Sequence, residues 1–178
     1  DGVPGAEAHA VAVKPIHNFN ARWLALLDRV RRHAGTTRIA VVGAGAGGVE
    51  LTLAMQYRLQ RELLALGRDP AELHFHLLEA GERILPTHNA AVRAAFERVL
   101  SARGIAVLCN AEVRRVAAGS LQIAAGASID VDETVWVTRA GGAPWLRDTG
   151  LALDAEGFLQ VGATLQSSLL HRAVNELA

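Results

Sequence analysis

The chain has 178 residues, 51% of them hydrophobic, with 18 basic and 18 acidic side chains that leave no formal net charge. That length carries one well-cored domain, and balanced, scattered charge gives no electrostatic footprint for nucleic acid or an anionic membrane. The lone cysteine, Cys109, excludes an internal disulfide or a Cys-x-x-Cys redox pair within this sequence. No apolar run approaches the roughly 20 residues of a membrane span and no signal peptide is read at the start, which fits a cytoplasmic protein.

Residues 1–14 lack a helical period, contain Pro4 and Gly5, and read as an incoming linker running to Pro15. Over residues 17–33, Phe19, Trp23, Leu26, Leu27 and Val30 recur on one side of a helix, with Arg22, Arg29, Arg31 and Arg32 largely outside that stripe. Residues 39–42 form a continuous apolar run, as expected of a parallel strand buried on both faces. The run passes directly into Gly43-Ala44-Gly45-Ala46-Gly47-Gly48-Val49-Glu50. In Gly43-x-Gly45-x-x-Gly48 the first glycine suits a tight turn, the second a close backbone approach to a pyrophosphate, and the third close helix–strand packing. A helix opening near Ala46 directs unpaired N–H groups and the positive end of its dipole at phosphates. Val49, Leu53, Tyr57, Leu59, Leu63 and Leu66 extend that helix to about Leu66, and Gly67, Asp69 and Pro70 end it.

A second strand over residues 73–78 finishes on Glu79, where a dinucleotide fold places the carboxylate that accepts hydrogen bonds from the adenine ribose. A carboxylate repels a 2′-phosphate, so this position favours NAD over NADP. Glu79 lies 31 residues beyond Gly48, against a usual figure of roughly 20, a difference that one or two extra helical turns absorb. Arg83 stays within reach of a phosphate. His74 and His76 share a strand face with no third ligand in sight, so no metal site is expected.

Residues 81–86 make a turn, and Thr87 or Asn89 caps a helix whose Val92, Ala95, Phe96 and Val99 share a face. Gly104 stops it, and residues 105–108 return as a third parallel strand, with Cys109 read as a small buried residue. Residues 112–117, 121–124 and 128–131 form a three-stranded antiparallel meander, after which residues 134–138 resume the sheet. Then come a loop with Gly141, Gly142, Pro144 and Trp145, a turn over 154–157, a short strand over 158–161, and a weakly amphipathic end over 169–178. Strand, helix, strand, helix, strand is the order of a doubly wound α/β fold.

The ordered series Val13-Lys14-Pro15-Ile16, Val41-Val42-Gly43 through Glu50, Leu78-Glu79, Arg83-Ile84-Leu85-Pro86, Gly104-Ile105-Ala106-Val107, Val135-Trp136-Val137-Thr138, and Gly150-Leu151 through Gly157-Phe158 to Thr164-Leu165-Gln166-Ser167 resembles one family. It is that of the pyridine nucleotide domain in two-dinucleotide-binding flavoproteins, which include disulfide reductases and type II NADH dehydrogenases. The likeness is strongest to NADH-dehydrogenase-like members, some of them fused to selenide water dikinase. The resemblance implies a Rossmann-like three-layer α/β fold, a central parallel sheet with helices on one face and a three-stranded antiparallel meander on the other, in agreement with the reading above.

It further implies NAD(H), with NADP(H) the lesser alternative, on a cofactor-binding set of Gly43, Gly45, Ala46, Gly47, Gly48, Glu50, Glu79, Arg83, Thr138 and Gly141. Glu50 falls near the nicotinamide and flavin in the resembling enzymes, although a glutamate early in a helix also complements the dipole. FAD is implied only in a longer parent, whose separate domain accepts a hydride and passes electrons to an acceptor the sequence does not name. No acid, base or nucleophile is nominated, since hydride transfer asks for positioning and the hard chemistry belongs to cofactors. The layout expected is a linker at 1–15 from an absent FAD-binding domain, a nucleotide domain at 16–166 and an atypical tail at 167–178.

Departures accompany the likeness. A second glycine motif for FAD is missing, residues 169–174 stand in place of a closing alanine-glycine-aspartate motif, and Arg139 stands where glycine is common. The expectation is therefore a partial domain, inactive alone, whose partners are NADH and the FAD-binding domain, with no nucleic acid and with a homodimer allowed. The parent is expected in the cytoplasm, with a peripheral position at the inner face of a membrane allowed. Two rivals remain: a non-catalytic NAD-sensing or assembly module, and a methyltransferase using S-adenosylmethionine, against which the third glycine and the meander speak.

Overall fold

A computed structural model describes residues 2–13, 16–124, 126–137 and 141–167. The chain divides into two compact units, residues 1–138 and 139–178. The stretch 16–166 expected as one domain crosses that division, and the stretch 168–178 of the expected tail, like Thr138 and Arg139, lies outside the described residues.

The first unit opens with a helical turn α1 (Ala6–His9) and a short strand β1 (Val11–Ala12), followed by α2 (Ile16–Arg32), β2 (Thr37–Val42), α3 (Ala46–Ala65), β3 (Leu73–Leu78), α4 (Ala90–Ala102) and β4 (Ala106–Leu108). The meander β5 (Val113–Ala117), β6 (Ser120–Ile123) and β7 (Ser128–Asp130) precedes β8 (Glu133–Trp136). Five strands form a parallel sheet in the order β1-β8-β2-β3-β4, and the meander is a separate antiparallel sheet. This is the Rossmann-like architecture expected. One difference is at the start: residues read as linker supply α1 and the edge strand β1, which pairs with β8 at Val11↔Val135 and Ala12↔Trp136. Two residues are too few to show a strand period, and only the pairing reveals them.

Strand alternation sorts the side chains of the sheet into two cores. Ile39, Val41, Phe75, Leu77 and Val135 face α2, α3 and α4, where they join Leu26, Val30, Val49, Leu59, Leu63 and Leu100. Ala40, Val42, Leu78 and Trp136 point the other way and pack with Val113, Val116, Leu121 and Val131 of the meander side and Ala6 of α1. Burial on both faces explains why residues 39–42 of β2 read as an unbroken apolar run. Each large side chain buried in this way contributes about 1.5–3 kcal/mol.

α2 is tied to the sheet by Glu133 at the start of β8, whose carboxylate accepts from Arg22 at 3.1 Å and from Arg29 at 3.0 Å. Of the two caps weighed for α4, Asn89 serves, its side-chain oxygen accepting from the Val92 N–H at 2.9 Å. Gly104, at φ 67°, ends the helix in the left-handed region as a C-terminal glycine does.

The described part of the second unit has a 3-10 turn, Pro144–Thr149, and two isolated antiparallel bridges, Leu153↔Leu159 and Val161↔Ser167, in place of the continuous short strand expected. The Asp154 carboxylate holds the intervening turn by accepting from the N–H groups of Glu156 and Phe158. Gly142 N–H donates to the Glu156 carbonyl at 2.9 Å, and a Cβ on Gly142 would stand 1.7 Å from the Gly157 carbonyl oxygen.

Candidate dinucleotide site

The site lies at the carboxyl ends of β2 and β3, where open parallel sheets place their ligands. β2 stops at Val42, and Gly43 turns the chain at φ 105°, with its N–H donating to the Leu78 carbonyl of the neighbouring strand at 2.8 Å. That conformation is strained for any side chain, which accounts for the first glycine. Gly48 has a packing reason: a Cβ there would sit 1.7 Å from the Gly43 carbonyl oxygen, so α3 approaches its own incoming turn only because residue 48 lacks one. Thr52 is buried and donates its hydroxyl to the Gly48 carbonyl at 2.7 Å, holding the same turn of helix.

Gly45 has neither reason. Its φ of −68° suits any residue, and a Cβ built on it meets nothing within 4 Å. It is the residue before α3, it supplies no side-chain cap, and no acidic residue stands in the first turn of that helix. The first intrahelical bond from beyond the turn is Val49 N–H to Gly45 carbonyl, which leaves the N–H groups of Ala46, Gly47 and Gly48 without intrahelical partners. A helix end with free donors, no carboxylate in its first turn and open space above its N-cap has the features that suit an anion. Glu50 is exposed and lies beyond that first turn.

Glu79 follows β3 and is anchored through its backbone on both sides, its N–H donating to Leu108 at 2.8 Å and its carbonyl accepting from Ala111 at 2.9 Å. Its carboxylate turns toward the glycine turn: Oε2 accepts from Ala44 N–H at 2.8 Å and Oε1 from Gly81 N–H at 3.0 Å. Cys109, expected as a buried residue, is only part-buried, and burial, with Glu79 and Glu97 adding to it, pushes its thiol above its ordinary value. Arg83 is more than half exposed and keeps only a long contact of 3.9 Å with Glu82, so its guanidinium is available to solvent on the same loop.

The structure thus brings Gly43, Gly45, Ala46, Gly47, Gly48 and Glu79 together in one place, with Arg83 on the adjoining loop. Thr138 lies outside the described residues, and Gly141 belongs to the second unit, where a Cβ on it would press to 3.1 Å from the Glu156 carbonyl oxygen. The long spacing from Gly48 to Glu79 is taken up by the 20 residues of α3 and by the 3-10 turn Pro70–Glu72. One contributor escaped the sequence reading. Leu85, at φ 48°, donates its N–H to the Ala44 carbonyl at 2.8 Å, and nothing in its apolar side chain announces a backbone role.

Comparison with known proteins gives the family and the fold. The family profile described as pyridine nucleotide-disulphide oxidoreductase matches residues 2–171. Type II NADH:quinone oxidoreductase of Haemophilus influenzae is 33% identical over 136 residues, 74% of this chain but 30% of that protein. Among solved structures, NDH2 from Plasmodium falciparum in complex with NADH superposes with a TM-score of 0.71 at 19% identity, covering 98% of this chain and 43% of that one. An engineered water-forming NADPH oxidase bound to NADPH reaches 0.70 at 16% identity, covering 94% and 34%. These structural likenesses show the fold, which is shared by a chain bound to NADH and one bound to NADPH.

Proposed function

Because the chain belongs to the pyridine nucleotide-disulphide oxidoreductase family, we propose that it is the NAD(H)-binding portion of an FAD-dependent NADH dehydrogenase-like oxidoreductase. It spans less than a third of a curated relative it matches, and in this reading a longer parent holds the flavin in a separate domain, with the electron acceptor unassigned. The observation that carries the reading is Gly45, a glycine that the protein's own packing and backbone do not require, beside Gly48, which they do. A residue without a side chain, facing open space at a helix N-terminus, leaves room for a ligand to approach the backbone N–H groups there.

The residues fit a dinucleotide. Gly45, Ala46, Gly47 and Gly48 would receive the pyrophosphate on backbone N–H groups, and Glu79 would accept from the adenine ribose through the lone pairs its two backbone bonds leave free. Arg83 offers a charge to the outer phosphates, and Glu50, Thr138 and Gly141 are assigned to the nicotinamide end on the family resemblance alone. Bound nicotinamide supplies the hydride, and this chain binds and orients it. The carboxylate at position 79 favours NADH over NADPH by charge. The same reading places the parent in the cytoplasm, with the inner face of a membrane open to it as a peripheral site, and no helix among the described residues is long and apolar enough to cross one.

The test uses the full-length parent loaded with FAD. Anaerobic NADH should bleach the flavin absorbance, and Glu79→Arg should lower the ratio of NADH to NADPH affinity by at least about tenfold, equivalent to about 1.4 kcal/mol. A flavin that neither nucleotide reduces would overturn the oxidoreductase reading and leave a sensing or assembly module in its place.

A further inference from the structure

We propose that Glu79 is also a positioning residue for the glycine turn, fixing the Ala44 peptide before any nucleotide arrives. This inference rests on the dinucleotide reading of the site only for its second arm below. The Ala44 methyl is buried in the core and Gly43 N–H is bonded to the Leu78 carbonyl, which leaves the polar atoms of Ala44 to be fixed. Ala44 lies between two glycines, and Gly45 contributes no side-chain cap to α3. The partners of the Ala44 N–H and carbonyl both come from the segment that follows β3. Glu79 Oε2 accepts from its N–H and Leu85 N–H donates to its carbonyl, each at 2.8 Å, so one residue is gripped at both polar ends.

The grip is itself built. Gly81 N–H orients the Glu79 carboxylate through Oε1, and the Glu79 backbone is fastened to Leu108 and Ala111. At the other end Ile84 and Leu85 are 1% and 2% exposed, and Leu85 stays in the left-handed region at φ 48°, a conformation that a leucine keeps only where its surroundings fix it. The bond from Ala44 to a carboxylate is charge-assisted and stronger than a neutral one. Residues 79–85 therefore form a strap across the turn, and the carboxylate that would read the sugar also sets the direction in which the N–H groups after Ala44 point.

Two readouts separate this role from sugar recognition. In the ligand-free chain, Glu79→Ala should raise the hydrogen-exchange rate of the Ala44 amide by about tenfold or more, the consequence of losing one charge-assisted bond, and leave the Val41 amide unchanged. Titration of wild type and variant with an NADH analogue lacking both hydroxyls of the adenine ribose should still show a several-fold loss in the variant. Unchanged Ala44 exchange, or full retention of affinity for that analogue, overturns the positioning role and leaves Glu79 acting through the sugar alone. If neither NADH nor the analogue binds wild type, the dinucleotide reading falls, and the exchange arm still decides the strap. Should Glu79→Ala fail to fold, Glu79→Asp, one carbon short of Ala44, takes its place with the charge kept.

Discussion

Three glycines of one motif answer to different physics, and their substitutions separate the causes. A side chain at Gly48 collides with the Gly43 carbonyl oxygen at 1.7 Å, so Gly48→Ala should lower stability by about 1–3 kcal/mol, as overpacking does. Gly45→Ala should cost no more than about 1 kcal/mol, the scale of an N-cap change, yet reduce NADH affinity by at least about tenfold. Denaturant unfolding and calorimetry on the two variants check the pair. A Gly45→Ala protein that binds NADH as wild type does would return that glycine to chance. The motif was legible as a pattern, with Glu79 at the end of the next strand. What the pattern could not show is which glycine is structural, because that depends on how near α3 comes to the Gly43 carbonyl, a distance set by the fold.

Among the elements, α4 and β3 make the sharpest predictions. Asn89→Ala removes the only side-chain cap of α4 and should cost about 1 kcal/mol, lowering the thermal midpoint by roughly 2–4 °C. In β3, His76 faces the meander side of the sheet, and its Nδ1 is buried without a hydrogen-bond partner. Burial first, then the neighbouring His74 and Arg38, hold its pKa below the ordinary imidazole value. The folded chain therefore binds fewer protons here than the unfolded chain, so stability from this group is full above pH of about 6.5 and declines as pH falls from there toward the lower folded value. His76→Gln should flatten that decline, as read from denaturant midpoints between pH 7.5 and 5.5; an unaltered slope would place the titration elsewhere. Helices and strands with several turns or alternations were legible from period and punctuation, and their ends fell within a residue or two of those expected for α2, α3 and β3. The four-residue α1 and the two-residue β1 were not, since pairing with β8 and packing near β5 stabilise them and no local signal does.

For the whole molecule, the alternation of strands and helices announced a parallel sheet, and the two cores follow from it. The order of the strands did not follow, because β8 enters between β1 and β2 across a long stretch of sequence and no local pattern encodes that neighbour. Nor did the division near residue 138, which follows from where the chain packs against itself. The first unit nonetheless holds every residue of the proposed phosphate and ribose site, which makes a direct binding claim about this chain. Calorimetric titration of the purified 178-residue chain with NADH, and with NADPH under the same conditions, tests it most plainly. Saturable one-to-one binding that favours NADH is the expected result, whereas absence of binding both here and in the FAD-loaded full-length parent would contradict the account.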